Sequence, residues 1–230
     1  RNPGSVPAHA IAIAVGGSSE VYVTGDSNKY IYTAKLNDSG VLQWDTLLGS
    51  GSVLDTGEDI SIDANKNIYI TGYSFYTWGN PIRPYSSTSV YYCDVFVARL
   101  DDNGKLQWNT FLGGIYSDYG NGISVDNSGY VTVVGEGSAW GAPVQIGSGS
   151  FISRLDGNGI LRWNYFLGSP DLDKIRDIAQ DTLGNLYVTG TSNSTWGTPI
   201  RGYTSGDDVV VARFYRGSTF LPRVIKSPTR

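Results

Sequence analysis

Four phrases of nearly the same wording recur along this chain: Val21-Tyr-Val-Thr-Gly25, Ile68-Tyr-Ile-Thr-Gly72, Val131-Thr-Val-Val-Gly135 and Leu186-Tyr-Val-Thr-Gly190. Their spacings are 47, 63 and 55 residues. A period of that size describes a stack of supersecondary units, each too small to bury its own apolar face. β-Branched and aromatic residues dominate each phrase and a glycine ends it, which is the pattern of a strand.

Around each phrase the unit holds further strand-like runs. The first run is Ile13-Ala-Val15, Ile60-Ser-Ile62, Ile123-Ser-Val125 and Ile178-Ala-Gln180, and the closing glycine always lies 12 residues after its first isoleucine. Turns rich in Asp, Asn and Gly join the two runs, residues that supply positive φ and side-chain caps. The third run is Ile31–Leu36, Val95–Leu100, Phe151–Leu155 and Val209–Phe214; the fourth is Val41–Leu48, Lys105–Leu112 and Ile160–Leu167. Strict alternation would place Leu106, Trp108, Thr110 and Leu112 on one face, and Gln107, Asn109 and Phe111 on the other. The last unit keeps three runs and then reads as a degenerate stretch and a polar tail. Four antiparallel strands per unit predict an all-β fold, a β-propeller of four four-stranded blades, with repeats at about 10–54, 55–117, 118–172 and 173–222 and a tail over 223–230. A closed four-bladed disk, an arc of a larger ring and two chains sharing eight blades are all open; closure or pairing is preferred, because a bare arc would expose apolar blade faces.

Composition narrows the partners. At 230 residues the chain can bury roughly 70–75% of its unfolded surface without staples. No stretch approaches ~18 apolar residues, so no membrane span is expected. The net charge is −4 with dispersed Lys and Arg, which excludes a basic patch for nucleic acid. The single cysteine, Cys93, rules out an intrachain disulfide, and the absence of methionine with Arg1 at the start predicts a processed product or a piece of a longer chain. His9 is the only histidine, so no triad or His-rich metal site forms except around it.

The longer phrases resemble the bacterial β-propeller repeat known as SBBP. Unit two carries the fullest match: Thr77-Trp-Gly-Asn-Pro-Ile-Arg-Pro-Tyr85, Asp94-Val-Phe-Val-Ala-Arg-Leu-Asp101 and Leu106-Gln-Trp-Asn-Thr-Phe-Leu-Gly-Gly114. Unit one lacks the Trp-Gly-x-Pro insert, and unit three has Gln145 where units two and four have Arg83 and Arg201. The resemblance implies large secreted or surface-attached proteins without defined chemistry.

Two in-register features are candidate sites. Trp78 with Arg83 and Tyr85, Trp140 with Gln145, and Trp196 with Arg201 and Tyr203 offer a flat indole with polar neighbours, the requirement of a stacked sugar ring. The same element also fits a plug packing one blade on the next. Asp55, Asp118 and Asp173 each lie five residues before an inner-strand isoleucine; at a channel mouth they would hold a cation or an amine, and inside a loop they would cap backbone N–H groups. The Asp-Asn-Gly turns match no calcium motif, Cys93 reads as a small buried hydrophobe, and Lys35, Arg99, Arg154 and Arg213 recur on the third run as structural cations. No catalytic residue, metal or cofactor is assigned. The expected function is a non-enzymatic extracellular or cell-surface module binding polysaccharide or a surface protein. The alternatives are a building block of a surface layer, filament or adhesin that self-associates through blade edges, and a carbohydrate-active enzyme.

Overall fold

A computed structural model describes residues 8–143, 149–167, 173–195, 200, 202–215 and 223–226, the last of these by backbone alone. The first sheet is β1 (Ala8–Val15), β2 (Val21–Ser27), β3 (Tyr30–Leu36) and β4 (Leu42–Leu48); the second is β5 (Thr56–Ile62), β6 (Ile68–Ser74), β7 (Asp94–Leu100) and β8 (Leu106–Leu112). The third is β9 (Tyr119–Val125), β10 (Val131–Gly137), β11 (Gly149–Leu155) and β12 (Leu161–Leu167); the fourth is β13 (Lys174–Gln180), β14 (Leu186–Ser192), β15 (Asp208–Phe214) and β16 (Arg223–Lys226). Each sheet is an antiparallel meander in chain order. Residues 223–226, expected as tail, instead pair with β15 from Val210↔Lys226 to Arg213↔Arg223. Four residues with two β-branched centres suffice once a neighbouring strand offers its free edge.

The glycine that closes each second strand has a steric cause. A Cβ on Gly25, Gly72, Gly135 or Gly190 would stand 1.8–1.9 Å from the carbonyl oxygen of His9, Thr56, Tyr119 or Lys174. At this level the inner strand carries a β-bulge, with register breaking between Ala10 and Ala12, Gly57 and Asp59, Gly120 and Gly122, and Ile175 and Asp177. The extra residue is therefore Ile11, Glu58, Asn121 or Arg176. A second break, between Arg99↔Trp108 and Leu100↔Leu106, leaves Gln107 unpaired. Strict alternation consequently fails in the fourth strand: Leu106 packs with Phe111 towards blade one, while Trp108 and Leu112 face blade three.

Three apolar layers hold the blades together, one at each junction. β5 packs across β1–β3, β9 across β5–β7 and β13 across β9–β11. Among the described residues no comparable interface joins the fourth sheet to the first. Of the arrangements left open, closure into a four-bladed disk is not seen among the described residues, and the four sheets stand as a fan of propeller-like blades.

Candidate functional site

The Trp-Gly-x-Pro element is an internal plug in the blades where it is described. Trp78 and Trp140 are buried. Trp78 meets Phe96 and Phe111 edge-on at 5.5 and 5.9 Å, and Trp140 meets Phe151 and Phe166 at 5.7 and 5.9 Å. Asn109 Nδ2 donates to the Trp78 carbonyl at 2.8 Å and Asn164 Nδ2 to the Trp140 carbonyl at 2.6 Å. Arg83 donates to the carbonyls of Phe111 and Gly113 at 2.9 and 2.8 Å and lies over the Trp140 ring. Tyr85 Oη donates to the Tyr92 carbonyl at 2.6 Å, and Tyr203 Oη to that of Gly206 at 3.0 Å. Of the two readings of Trp78 and Trp140, these contacts fit the packing plug and not the sugar platform: a ring clamped between two phenylalanines offers no open face. Gln145, Trp196 and Arg201 lie outside the described residues.

Of the two readings of the recurring carboxylates, Asp55 and Asp118 take the loop-capping one and not that of open channel-mouth groups. Asp55, Asp118 and Asp173 are buried. Asp55 accepts from Ser50 N at 2.7 Å and from Ser74 Oγ at 2.6 Å, joining the loop before blade two to its second strand. Asp118 repeats the arrangement with Gly114 N at 2.8 Å and Ser138 N at 3.0 Å. Ser150 Oγ donates to the Asp173 carbonyl at 2.7 Å. Burial, with the nearby Asp94 charge adding to it, pushes the Asp118 carboxyl up to about 7. The turn aspartates are consumed in the same way, Asp101 and Asp126 each capping two N–H groups of their own turn. No cluster of three metal-ligating side chains occurs among the described residues. Cys93 is buried, its thiol pushed up to about 11 by desolvation, and His9 pairs with Asp26 at 3.2 Å.

A different set of residues is brought together at the inner strands. The bulges turn Glu58, Asn121 and Arg176 out of the ladder, since an unpaired residue re-aims its side chain. The residue after each closing glycine stands beside them: Tyr73 in blade two and Glu136 in blade three. Glu58, Tyr73, Tyr119, Asn121, Glu136 and Arg176 line a cavity of about 280 Å³. A neighbouring cavity of about 250 Å³ shares Tyr119 and Glu136 and adds Lys174. Tyr73 and Tyr119 meet edge-on at 5.3 Å. Arg176 bridges to Glu136 at 3.0 Å, and Asn121 Nδ2 donates to the Ile175 carbonyl at 2.8 Å. Glu58 is held above the usual carboxylate range by burial and then by the Asp26 charge, with Arg176 opposing.

This group supplies two aromatic rings, hydroxyls, carboxylates, an amide and a guanidinium within one concavity. Such a surface suits a hydroxyl-rich ligand that stacks on one side and hydrogen-bonds at its rim. Sequence reasoning missed it because it followed recurrence. The signal lay in the opposite property: the positions of Ile11, Glu58, Asn121 and Arg176, and of Asp26, Tyr73, Glu136 and Thr191, differ in every unit of a chain that otherwise repeats.

The SBBP beta-propeller repeat matches residues 43–83 and 164–195. These two segments are similar to that repeat, in line with the resemblance of their motifs. A solved structure of a protein of unknown function from Bacteroides caccae is similar over 96% of this chain, with a TM-score of 0.53 and 10% sequence identity. The chain spans 61% of the length of that protein. The likeness shows the fold alone. No curated protein matches the sequence.

Proposed function

We propose that this chain of SBBP-type repeats is a non-enzymatic binding module working outside the cell or at its surface, with its ligand seated on the inner-strand concavity. The observation carrying the proposal is the placement of Tyr73, Tyr119, Glu58, Asn121, Glu136 and Arg176 around one cavity at positions where the repeats diverge. A position freed from the common fold carries what distinguishes one blade from another. The ligand class that fits is an oligosaccharide, with the tyrosines in the role first assigned to Trp78 and Trp140. A dissociation constant of about 1 mM would correspond to about −4 kcal/mol.

Calorimetric titration with neutral, anionic and amino-bearing oligosaccharides tests the reading. Saturable binding to at least one class is expected, lost in Tyr119→Ala. Absence of heat and of tyrosine-fluorescence change across the panel at millimolar ligand would overturn it. A second reading, hydrolysis, rests on one observation: Glu58, raised by burial, and Glu136 line the same cavity. Products accumulating in those titrations, and ceasing in Glu58→Gln, would favour an enzyme instead.

A further inference from the structure

Among the charged groups around the inner-strand concavity, one carboxylate stands apart. Asp55, Asp59, Asp94 and Asp118, all withdrawn from solvent, each accept two or more hydrogen bonds from neighbouring amides and serine hydroxyls. Glu136 takes Arg176 at 3.0 Å and Asn121 Nδ2 at 3.4 Å, and Asp26 pairs with His9 at 3.2 Å. Glu58 has no such support. It is half-buried and lines the cavity, yet among the described residues nothing donates to its carboxylate and no cation pairs with it. Blade two has a neighbour on each side within the chain, β5 packing across β1–β3 and β9 across β5–β7. The isolation of Glu58 therefore belongs to the interior of the fan and not to either end.

A carboxylate drawn out of water without a partner is costly, and a ligand that supplies the opposite charge relieves it. Burial holds Glu58 above the usual carboxylate range, the Asp26 charge adds to this and Arg176 opposes it. Burial also raises the Tyr73 hydroxyl, and the charges of Glu58 and Asp26 add to that rise. The blade-two side of the cavity is thus acidic and aromatic together. On the other side Arg176 is already engaged by Glu136, while Lys174 lines the neighbouring cavity.

These charges sort the ligands. An anionic sugar would meet an uncompensated Glu58 on one side and an occupied guanidinium on the other. A neutral sugar would hydrogen-bond and leave the charge of Glu58 without a counterion. An inorganic cation would find too few ligands, because no three metal-ligating side chains converge among the described residues. An organic ammonium meets both demands: it donates to the carboxylate and is attracted by tyrosine rings.

We infer that the concavity selects ligands bearing a protonated amine, amino sugars among the oligosaccharides, with the ammonium on Glu58 beside Tyr73 and the hydroxyls towards Asn121 and Glu136, an assignment that rests on the binding role proposed above for this cavity. The bulge residue is a carboxylate in blade two alone, since Ile11, Asn121 and Arg176 hold that position elsewhere. One substitution therefore removes the selecting charge.

Calorimetric titration with oligomers of glucosamine, N-acetylglucosamine and glucose of equal length, at about pH 6 where an ordinary amine is protonated, tests this. The glucosamine oligomer is expected to bind about tenfold or more tighter than the other two, the scale of one charge-assisted hydrogen bond. Glu58→Gln should bring all three to a common affinity while leaving the neutral oligomers bound as before, which also shows that the variant folds. Asp38→Asn, which removes an exposed carboxylate from the β3–β4 turn, should keep the full preference and so separate the site from the net charge of −4. Equal binding of the three oligomers by the wild type would overturn the inference and leave the concavity a binding site. An amine preference that survives Glu58→Gln, or that falls equally in Asp38→Asn, would also overturn it. Binding of none of them would remove the binding role of the concavity, and the inference with it.

Discussion

The Trp-Gly-x-Pro insert of blade two and the bulge row of the inner strands occupy opposite roles. The Trp-Gly-x-Pro core of the insert recurs in units two, three and four, and the two indoles described, Trp78 and Trp140, are buried between phenylalanines. The bulge row changes in every unit, and its side chains open on a cavity. In a chain built of repeats, recurrence marks what each blade needs in order to pack, because every junction poses the same steric problem. Divergence marks positions that packing has released. The asparagines of the fourth strand support this division: Asn109 and Asn164 hold the two inserts, and blade one, which lacks the insert, has Asp45 at that position.

The largest effect should come from breaking the recurrent side. Trp140→Ala removes a ring packed on Phe151 and Phe166 and should cost about 3–5 kcal/mol, read as a lower urea midpoint. Trp140→Phe should cost less, since the indole Nε1 has no acceptor to lose.

An intermediate effect tests the buried carboxylates. Burial raises Asp118 to about 7 and Asp59 to about 6, so the folded state binds protons more tightly than the unfolded chain, where both groups keep their ordinary value near 3.8. Stability then falls as pH rises from about 4 to 7, by roughly 1–3 kcal/mol, and is lower at pH 8 than at pH 5. Glu20, Asp156 and Asp181 are shifted downwards and act in the opposite sense, below that window. Urea titrations at pH 5 and 8 measure the difference, and Asp118→Asn should flatten it. A chain more stable at pH 8 would contradict the assignment.

The smallest stability effect is expected on the divergent side. Tyr119→Ala and Glu136→Gln should each shift unfolding by no more than about 0.5–1 kcal/mol, while abolishing saturable oligosaccharide binding. A collapse in stability comparable to that of Trp140→Ala would mean that the inner-strand row is packing after all.

Much of the fold was legible. The 12-residue interval from isoleucine to glycine fixed the inner hairpin, and the Asp-x-x-Gly turns appear where their wording placed them, each aspartate capping its own turn. β7 and β8 begin and end within a residue of the runs read from Val95–Leu100 and Lys105–Leu112. The site was less legible. An indole beside an arginine and a tyrosine has the same wording whether it faces solvent or a neighbouring blade, and the choice depends on Phe96, Phe111, Phe151 and Phe166 arriving from other strands. The bulges were invisible for a related reason: the residue that leaves the ladder is defined by its partner strand, and nothing in Glu58, Asn121 or Arg176 announces it.

The sequence by itself determined a repeat of four antiparallel strands, because spacing, alternation and turn chemistry are local and each unit states them again. Tertiary structure alone decided which copy of a repeated residue is used and which is left bare. Ile13 and Ile123 hold the same place in the repeat, yet one is exposed and the other sealed, since burial belongs to the neighbouring blade and not to the residue.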